Sequence, residues 1–273
     1  MEKIQSAIAK ARLSRQQGEG ARVQAPRPAQ RLDEDRTRDA WAEIETFDPN
    51  PKHLRERRIV SGSKGSEGTE FDKLRTRMLQ HMQARKWTRV AITSPGPGCG
   101  KSTIALNLGL SLAKQPSLKT LICEIDLKRP ALSSLLGVEK SYDLSRVLAG
   151  VDPFSDHAVR LRPNLAAGLV HASVDASAEM LQGPQLGAIL DEIEARYTPD
   201  IMIFDMPPLQ VSDDAMGFAD KVDCALIIAG AGSTTVADID SSERDLSERT
   251  EVLGVILNKC RDGASESKYG YYE

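Results

Sequence analysis

Five short apolar runs punctuate the chain from residue 59 onward: Arg89–Thr93, Thr120–Cys123, Ile201–Phe204, Ala225–Ala229 and Val252–Leu257. Each is apolar at successive positions rather than at alternate ones, the pattern of a strand covered on both faces. Between them, apolar residues recur at helical spacing over about 69–84, 101–114, 179–196, 212–219 and 236–249. Strands alternating with helices predict an α/β fold, a doubly wound and mostly parallel sheet with helices on both faces.

Upstream of residue 59 the texture differs. Ile4, Ala7, Ile8 and Ala11 fall on one helical face with Lys3, Lys10 and Arg12 around them, which predicts an amphipathic helix over 1–13. Residues 14–58 are rich in Arg, Gln, Asp, Glu and Pro, and large apolar side chains are scarce until Trp41, Ile44 and Phe47. Such a stretch buries too little to offset its ordering entropy, so it is predicted to be a flexible linker. The folded domain is expected over 59–262, followed by a short tail, 263–273. With 273 residues, one large domain plus extensions is the simplest organisation.

Candidate chemistry lies at the ends of the strands. The first run leads into Ser94-Pro-Gly-Pro-Gly-Cys-Gly-Lys-Ser-Thr103 and then directly into a helix. A strand, a glycine-rich bend, Lys-Ser and a helix form a phosphate cradle, in which backbone N–H groups and the positive end of the helix dipole face an anion. Gly98, Cys99, Gly100, Lys101, Ser102 and Thr103 are the predicted contacts. Lys101 would reach the β- and γ-phosphates and Ser102 would ligate Mg²⁺. Pro95 stands where the strict pattern has glycine.

Two further strand ends carry acids. Glu124 and Asp126 lie two residues apart after Leu121-Ile-Cys123, so strand alternation predicts that they share a side. Ile201-Met-Ile-Phe-Asp205 places a carboxylate after four apolar residues, the form in which an acid orients Mg²⁺.

These three motifs, in this order, resemble the bacterial tyrosine kinases of exopolysaccharide and capsule biosynthesis, within the P-loop class that includes the MinD and ParA positioning ATPases. Glu124-x-Asp126-x-Lys128-Arg129-Pro130, Asp205-x-Pro207-Pro208 and Leu253-Gly-Val-Ile-Leu-Asn-Lys259 carry the resemblance. It implies ATP and Mg²⁺ as cofactors and Lys101, Glu124, Asp126 and Asp205 as catalytic residues. Ser102, Asp126 and Asp205 would be on the metal, one of Glu124 and Asp126 would act as base (Glu124 is the candidate), and Asn258 would be against adenine. The positioning proteins carry an extra lysine where this chain has Gly96, which favours the kinase branch. The N-terminal helix is similar to the start of exosortase-associated members.

The same resemblance implies a homo-oligomer working with a membrane polysaccharide co-polymerase through its cytoplasmic segment, and a cytoplasmic chain recruited to the inner face of the plasma membrane. The family's Glu-x-x-Arg-x-x-Arg subunit-joining helix aligns with Thr69, Asp72 and Arg75, keeping only Arg75. Of five tyrosines, three fall in the last five residues, Tyr269, Tyr271 and Tyr272, and are the predicted phosphoacceptors. A non-kinase ATPase switch and a nucleotide-binding scaffold remain the alternatives.

Bulk properties narrow the field further. A formal net charge of -3 gives no reason to expect a nucleic-acid partner, and the longest apolar stretches are too short to span a bilayer. Cys99, Cys123, Cys224 and Cys260 form no CxxC pair, and His53, His81, His157 and His171 lack metal-ligand spacing.

Overall fold

The computed structural model describes residues 28–62, 68–211 and 213–260. The predicted helix over 1–13 and the tyrosine tail lie outside these residues. The chain divides into a first compact unit that ends at Arg38 and a second that begins at Asp39. Helix Pro28–Glu43 opens in the first unit, where Arg38 and Asp35 form an exposed ion pair one turn apart.

The second unit is built on one eight-stranded sheet. In chain order its strands are β1 (Glu45–Thr46), β2 (Arg89–Thr93), β3 (Thr120–Glu124), β4 (Ala158–Arg162), β5 (Leu165–Gly168), β6 (Ile201–Asp205), β7 (Cys224–Gly230) and β8 (Glu251–Asn258). Their spatial order is β1-β4-β5-β3-β6-β2-β7-β8, and every pair is parallel except β4 with β5. All five predicted strands form. Residues 158–168, which the apolar runs did not flag, supply the antiparallel hairpin that turns at Pro163-Asn164.

Alternation along the buried strands divides their side chains between two cores. Leu121, Cys123, Met202 and Phe204 face one layer with Tyr197, Phe218 and Leu246. Ile122, Val90, Ile92 and Ile203 face the other, under helices Thr69–Arg85 and Lys101–Leu112. The helix expected over 179–196 is two helices, Ser177–Leu181 and Leu186–Tyr197. Gly183-Pro184 divides them, because proline lacks the N–H and disfavours helical backbone in the residue before it.

The linker expected over 14–58 is corrected where the structure describes it. Helix Pro51–Glu56 is capped by the Asn50 side chain, and β1 pairs with β4. Trp41 and Ile44 are 4% and 1% exposed. The Trp41 indole N–H donates to the Tyr197 carbonyl at 2.8 Å, and the two rings meet edge to face. Polar composition hid this segment because a few large side chains carry nearly all its burial.

Trp41→Ala is therefore expected to cost about 3–5 kcal/mol of unfolding free energy, the range for truncating a buried aromatic. Urea denaturation of the full chain measures it, and a loss below about 1 kcal/mol would return this segment to the status of a linker.

Candidate functional site

The site forms where β2, β3 and β6 end side by side. Register places Ile92 opposite Asp205 and Glu124 opposite Asp205, so the three tips lie level. The bend after β2 then turns through Gly98 and Gly100, whose φ values of +75° and +96° lie in the left-handed region that glycine reaches without strain. Helix Lys101–Leu112 starts at once, and its first hydrogen bond runs from the Ile104 N–H to the Gly100 carbonyl at 3.0 Å. Among the described residues, no acceptor meets the N–H groups of Gly98, Cys99, Gly100, Lys101, Ser102 or Thr103. A row of such donors at a helix start is an anion cradle.

Pro95 does not disturb this geometry. It is buried, and its carbonyl accepts from the Gln210 N–H at 3.1 Å. The neighbouring Ser94 carbonyl accepts from the Leu209 N–H at 2.9 Å, and the Thr93 hydroxyl donates to the Pro207 carbonyl at 2.7 Å. The bend is thus joined to the Asp205-Met-Pro-Pro turn. Cys99 is buried inside it, its thiol 3.3 Å from the Gly96 carbonyl and 3.5 Å from the Thr234 hydroxyl.

Lys101 and Asp126 meet over the tips, Nζ to Oδ2 at 3.4 Å, with side chains only 8% and 7% exposed. Burial raises the Asp126 carboxyl above its ordinary range, and Lys101 pulls it back. Asp205 is fully buried, and neither of its carboxylate oxygens has a hydrogen-bond partner. Burial pushes its carboxyl up to about 6, although the Lys101 charge and the nearby Ser102 hydroxyl lower it. An orphaned carboxylate beside a lysine, a second acid and an open anion cradle matches the donors Mg²⁺ takes, which are one or two carboxylates together with phosphate oxygens. The residues present fit that ion.

Glu124 is engaged at both carboxylate oxygens. Its Oε1 accepts from the Ala131 and Leu132 N–H groups at 2.5 and 2.7 Å, and its Oε2 accepts from the Val170 N–H at 2.8 Å. The side chain is wholly buried, and burial pushes its carboxyl up to about 8 against those three donors. A group so committed anchors the segments after β3 and β5. Leu121, Cys123, Ile125 and Leu127 all pack into one core layer, so Glu124 and Asp126 lie on the other side, as alternation predicted. The Ile125 and Asp126 N–H groups both donate to the Asp205 carbonyl, each at 2.9 Å, so the chain leaves strand geometry immediately after Glu124.

Asn258 reaches the site but grips the loop itself, Nδ2 donating to the Cys99 carbonyl at 2.8 Å. A Cβ on Gly100 would lie 2.4 Å from that nitrogen, so the loop needs glycine there. Arg75, read as a subunit-joining residue, is turned inward. Its Nη1 donates to Asp72 at 3.1 Å and to the Ser111 carbonyl at 2.7 Å, fastening helix Thr69–Arg85 to helix Lys101–Leu112. One cluster had no motif to announce it. Asp214, 1% exposed, accepts from the Ser177 hydroxyl at 2.6 Å and from Lys128 at 3.2 Å, tying together the segments around the mouth of the site. The paired acids Asp213-Asp214 at a helix start were its only trace in sequence.

The chain is similar to known proteins in sequence and in fold. A family profile described as "ParA: NUBPL iron-transfer P-loop NTPase" matches residues 87–268. The tyrosine-protein kinase YwqD of Bacillus subtilis (strain 168) is 28% identical over 217 residues, which cover 77% of this chain and 87% of that protein. The kinase domain of the Escherichia coli tyrosine kinase ETK superposes with a TM-score of 0.65 at 24% identity, covering 76% of this chain and 81% of that one. The septum site-determining protein MinD of Pyrococcus horikoshii OT3, solved with Mg-ADP, superposes with a TM-score of 0.54 at 23% identity over 66% of this chain and 72% of its own.

Because Asp205 has its carboxyl raised from 3.8 to about 6, the stability it contributes is full below pH 4 and lost as pH rises through 6. Asp205→Asn is therefore expected to stabilise the nucleotide-free protein at pH 7 by about 1–3 kcal/mol and to have little effect at pH 4. Denaturant titrations of both proteins at the two pH values measure this, and an equal difference at both would contradict a buried, unpartnered charge.

Proposed function

The chain belongs to the ParA/NUBPL-type family of P-loop NTPases, and we propose that it is an ATP-dependent protein-tyrosine kinase of the exopolysaccharide and capsule systems, acting on tyrosines 269, 271 and 272 of its own sequence. The observation that carries this reading is the unpartnered Asp205 carboxylate beside the Lys101–Asp126 pair and the open row of loop N–H groups. Similarity over 217 residues to a named tyrosine kinase selects phosphoryl transfer to protein from among the activities such a site supports.

ATP is the substrate. The N–H groups of Gly98–Thr103 and the Lys101 ammonium bind its phosphates, and Lys101 exchanges its contact with Asp126 for phosphate oxygen. Ser102, Asp126 and Asp205 are the residues that would hold Mg²⁺, which neutralises charge on the phosphates when bound. Asp126, released from Lys101, takes the proton of the attacking tyrosine hydroxyl. A bond then forms from the phenolic oxygen to the γ-phosphorus as the bond to the ADP oxygen breaks. The fixed dipoles of the loop need no rearrangement as charge shifts, which is where such sites gain most of their rate.

The iron-transfer description of the family profile finds little support in the thiols. Cys260 is exposed but Cys99, Cys123 and Cys224 are buried, and burial pushes the last two up to about 12, whereas iron–sulfur ligation needs several thiolates. Among the described residues no helix is long and apolar enough to cross a membrane. The partner proposed for it at the membrane is a polysaccharide co-polymerase presenting a cytoplasmic segment. The inward-turned Asp72–Arg75 pair favours a second reading, an ATPase switch that works without the ring-forming contact.

Incubation of the purified chain with Mg²⁺ and γ-labelled ATP separates the two. The kinase reading expects label on Tyr269, Tyr271 or Tyr272, reduced roughly 10²–10³-fold in Lys101→Met. Asp126→Asn should lower both transfer and magnesium-dependent nucleotide affinity, whereas Glu124→Gln should act through stability. Free phosphate with no labelled protein would establish the switch instead.

A further inference from the structure

β8 ends the sheet, so one of its edges has no neighbour among the described residues. Its pairing with β7 slips by one residue between Val252 and Gly254, which leaves 254–258 as the regular part of the strand. The slip shortens the edge without closing it. The Asn258 carbonyl accepts from the Ala231 N–H at 2.8 Å and so faces β7. Backbone groups alternate in direction along a strand, so those of Gly254 and Ile256 face β7 as well, and the N–H and C=O groups of Val255 and Leu257 point to the open edge. The side chains of the same two residues are 43% and 61% exposed. Residues 252–258 contain no charge and no proline, the side chains that most often keep an edge from pairing.

We propose that this edge is an interface between two copies of the chain, β8 pairing antiparallel with the β8 of its partner about a twofold axis at Ile256. One register uses every outward group of Val255 and Leu257 in both copies: Val255 opposite the partner's Leu257, and Leu257 opposite the partner's Val255. Each such pair exchanges both of its backbone hydrogen bonds. Residues directly opposite lie on one face of the sheet, so each exposed valine covers an exposed leucine. On the other face Ile256 meets its own copy, beside a groove of about 650 Å³ that it lines with Phe71, Leu74 and Met78 of helix Thr69–Arg85. A second copy suits the edge because the match is symmetric and a twofold contact closes on itself. The opposite margin of the sheet is β1, two exposed residues too short to extend the array.

The antiparallel arrangement sends the two phosphate bends to opposite ends of the joined sheet. It also sets the partner's Gly254 opposite Asn258, the residue that holds the Cys99 carbonyl. The contact therefore braces each bend without bringing the two together. It requires neither nucleotide nor phosphoryl transfer, so it stands or falls separately from the kinase reading.

Sedimentation equilibrium of the full chain without nucleotide, over a concentration series, tests the interface. The unaltered chain is expected to form a dimer. Val255→Asp and Leu257→Lys, each at an exposed position that leaves the fold intact, should each raise the dissociation constant at least about tenfold by setting a charge against an apolar side chain. The double variant sets opposite charges across both pairs and should recover most of that loss. A register in which either residue met its own copy would bring like charges together instead, so a double variant as weak as the single ones would overturn the proposal. An assembly untouched by the single substitutions would overturn it too, as would a monomer at every concentration. A monomer whose Val255 and Leu257 amides resist hydrogen exchange would show that another segment of the chain covers the edge.

Discussion

The structure depends on holding a carboxylate in the protein interior with nothing bonded to it. Asp205 ends a buried strand between two others, and removing such a group from water is costly unless a charge compensates it. The surroundings are arranged so that the side chain cannot escape. Its backbone carbonyl takes two N–H groups from the chain leaving β3, the following Pro-Pro turn is bonded to the bend after β2, and Lys101 stands on the far side with Asp126. A cation held there together with a phosphate would compensate the buried charge.

Glu124 and Asp205 show how two acids at adjacent strand ends divide their duties. Both are buried and both have raised carboxyls, yet Glu124 is fully bonded to backbone while Asp205 is bonded to nothing. The extra methylene of glutamate has a physical use, since it lets one carboxylate span the start of the segment after β3 and Val170 beyond β5. Glu124 is thus a structural tie between two loops. Asp72 and Arg75 illustrate the same economy, their charges being consumed in packing one helix on another within the chain.

Most of the sheet was legible in the sequence because parallel strands buried on both faces write continuous apolar runs, and the phosphate bend was legible because its glycines and Lys-Ser obey a local spacing. What stayed hidden depended on contacts distant in the chain. The β4–β5 hairpin alternates with arginines and lacks a continuous run, and the Trp41 segment is polar except for the few residues that bury. The end of β3 was set by hydrogen bonds from Ile125 and Asp126 to a residue some eighty positions away. The Ser177–Asp214–Lys128 cluster joins three separate segments and so has no linear signature.

The bond from Asn258 to the Cys99 carbonyl makes the last residue of the edge strand a tether for the phosphate bend. Displacing the end of β8 would therefore remove a support from the phosphate bend, since the Cys99 carbonyl would lose this donor.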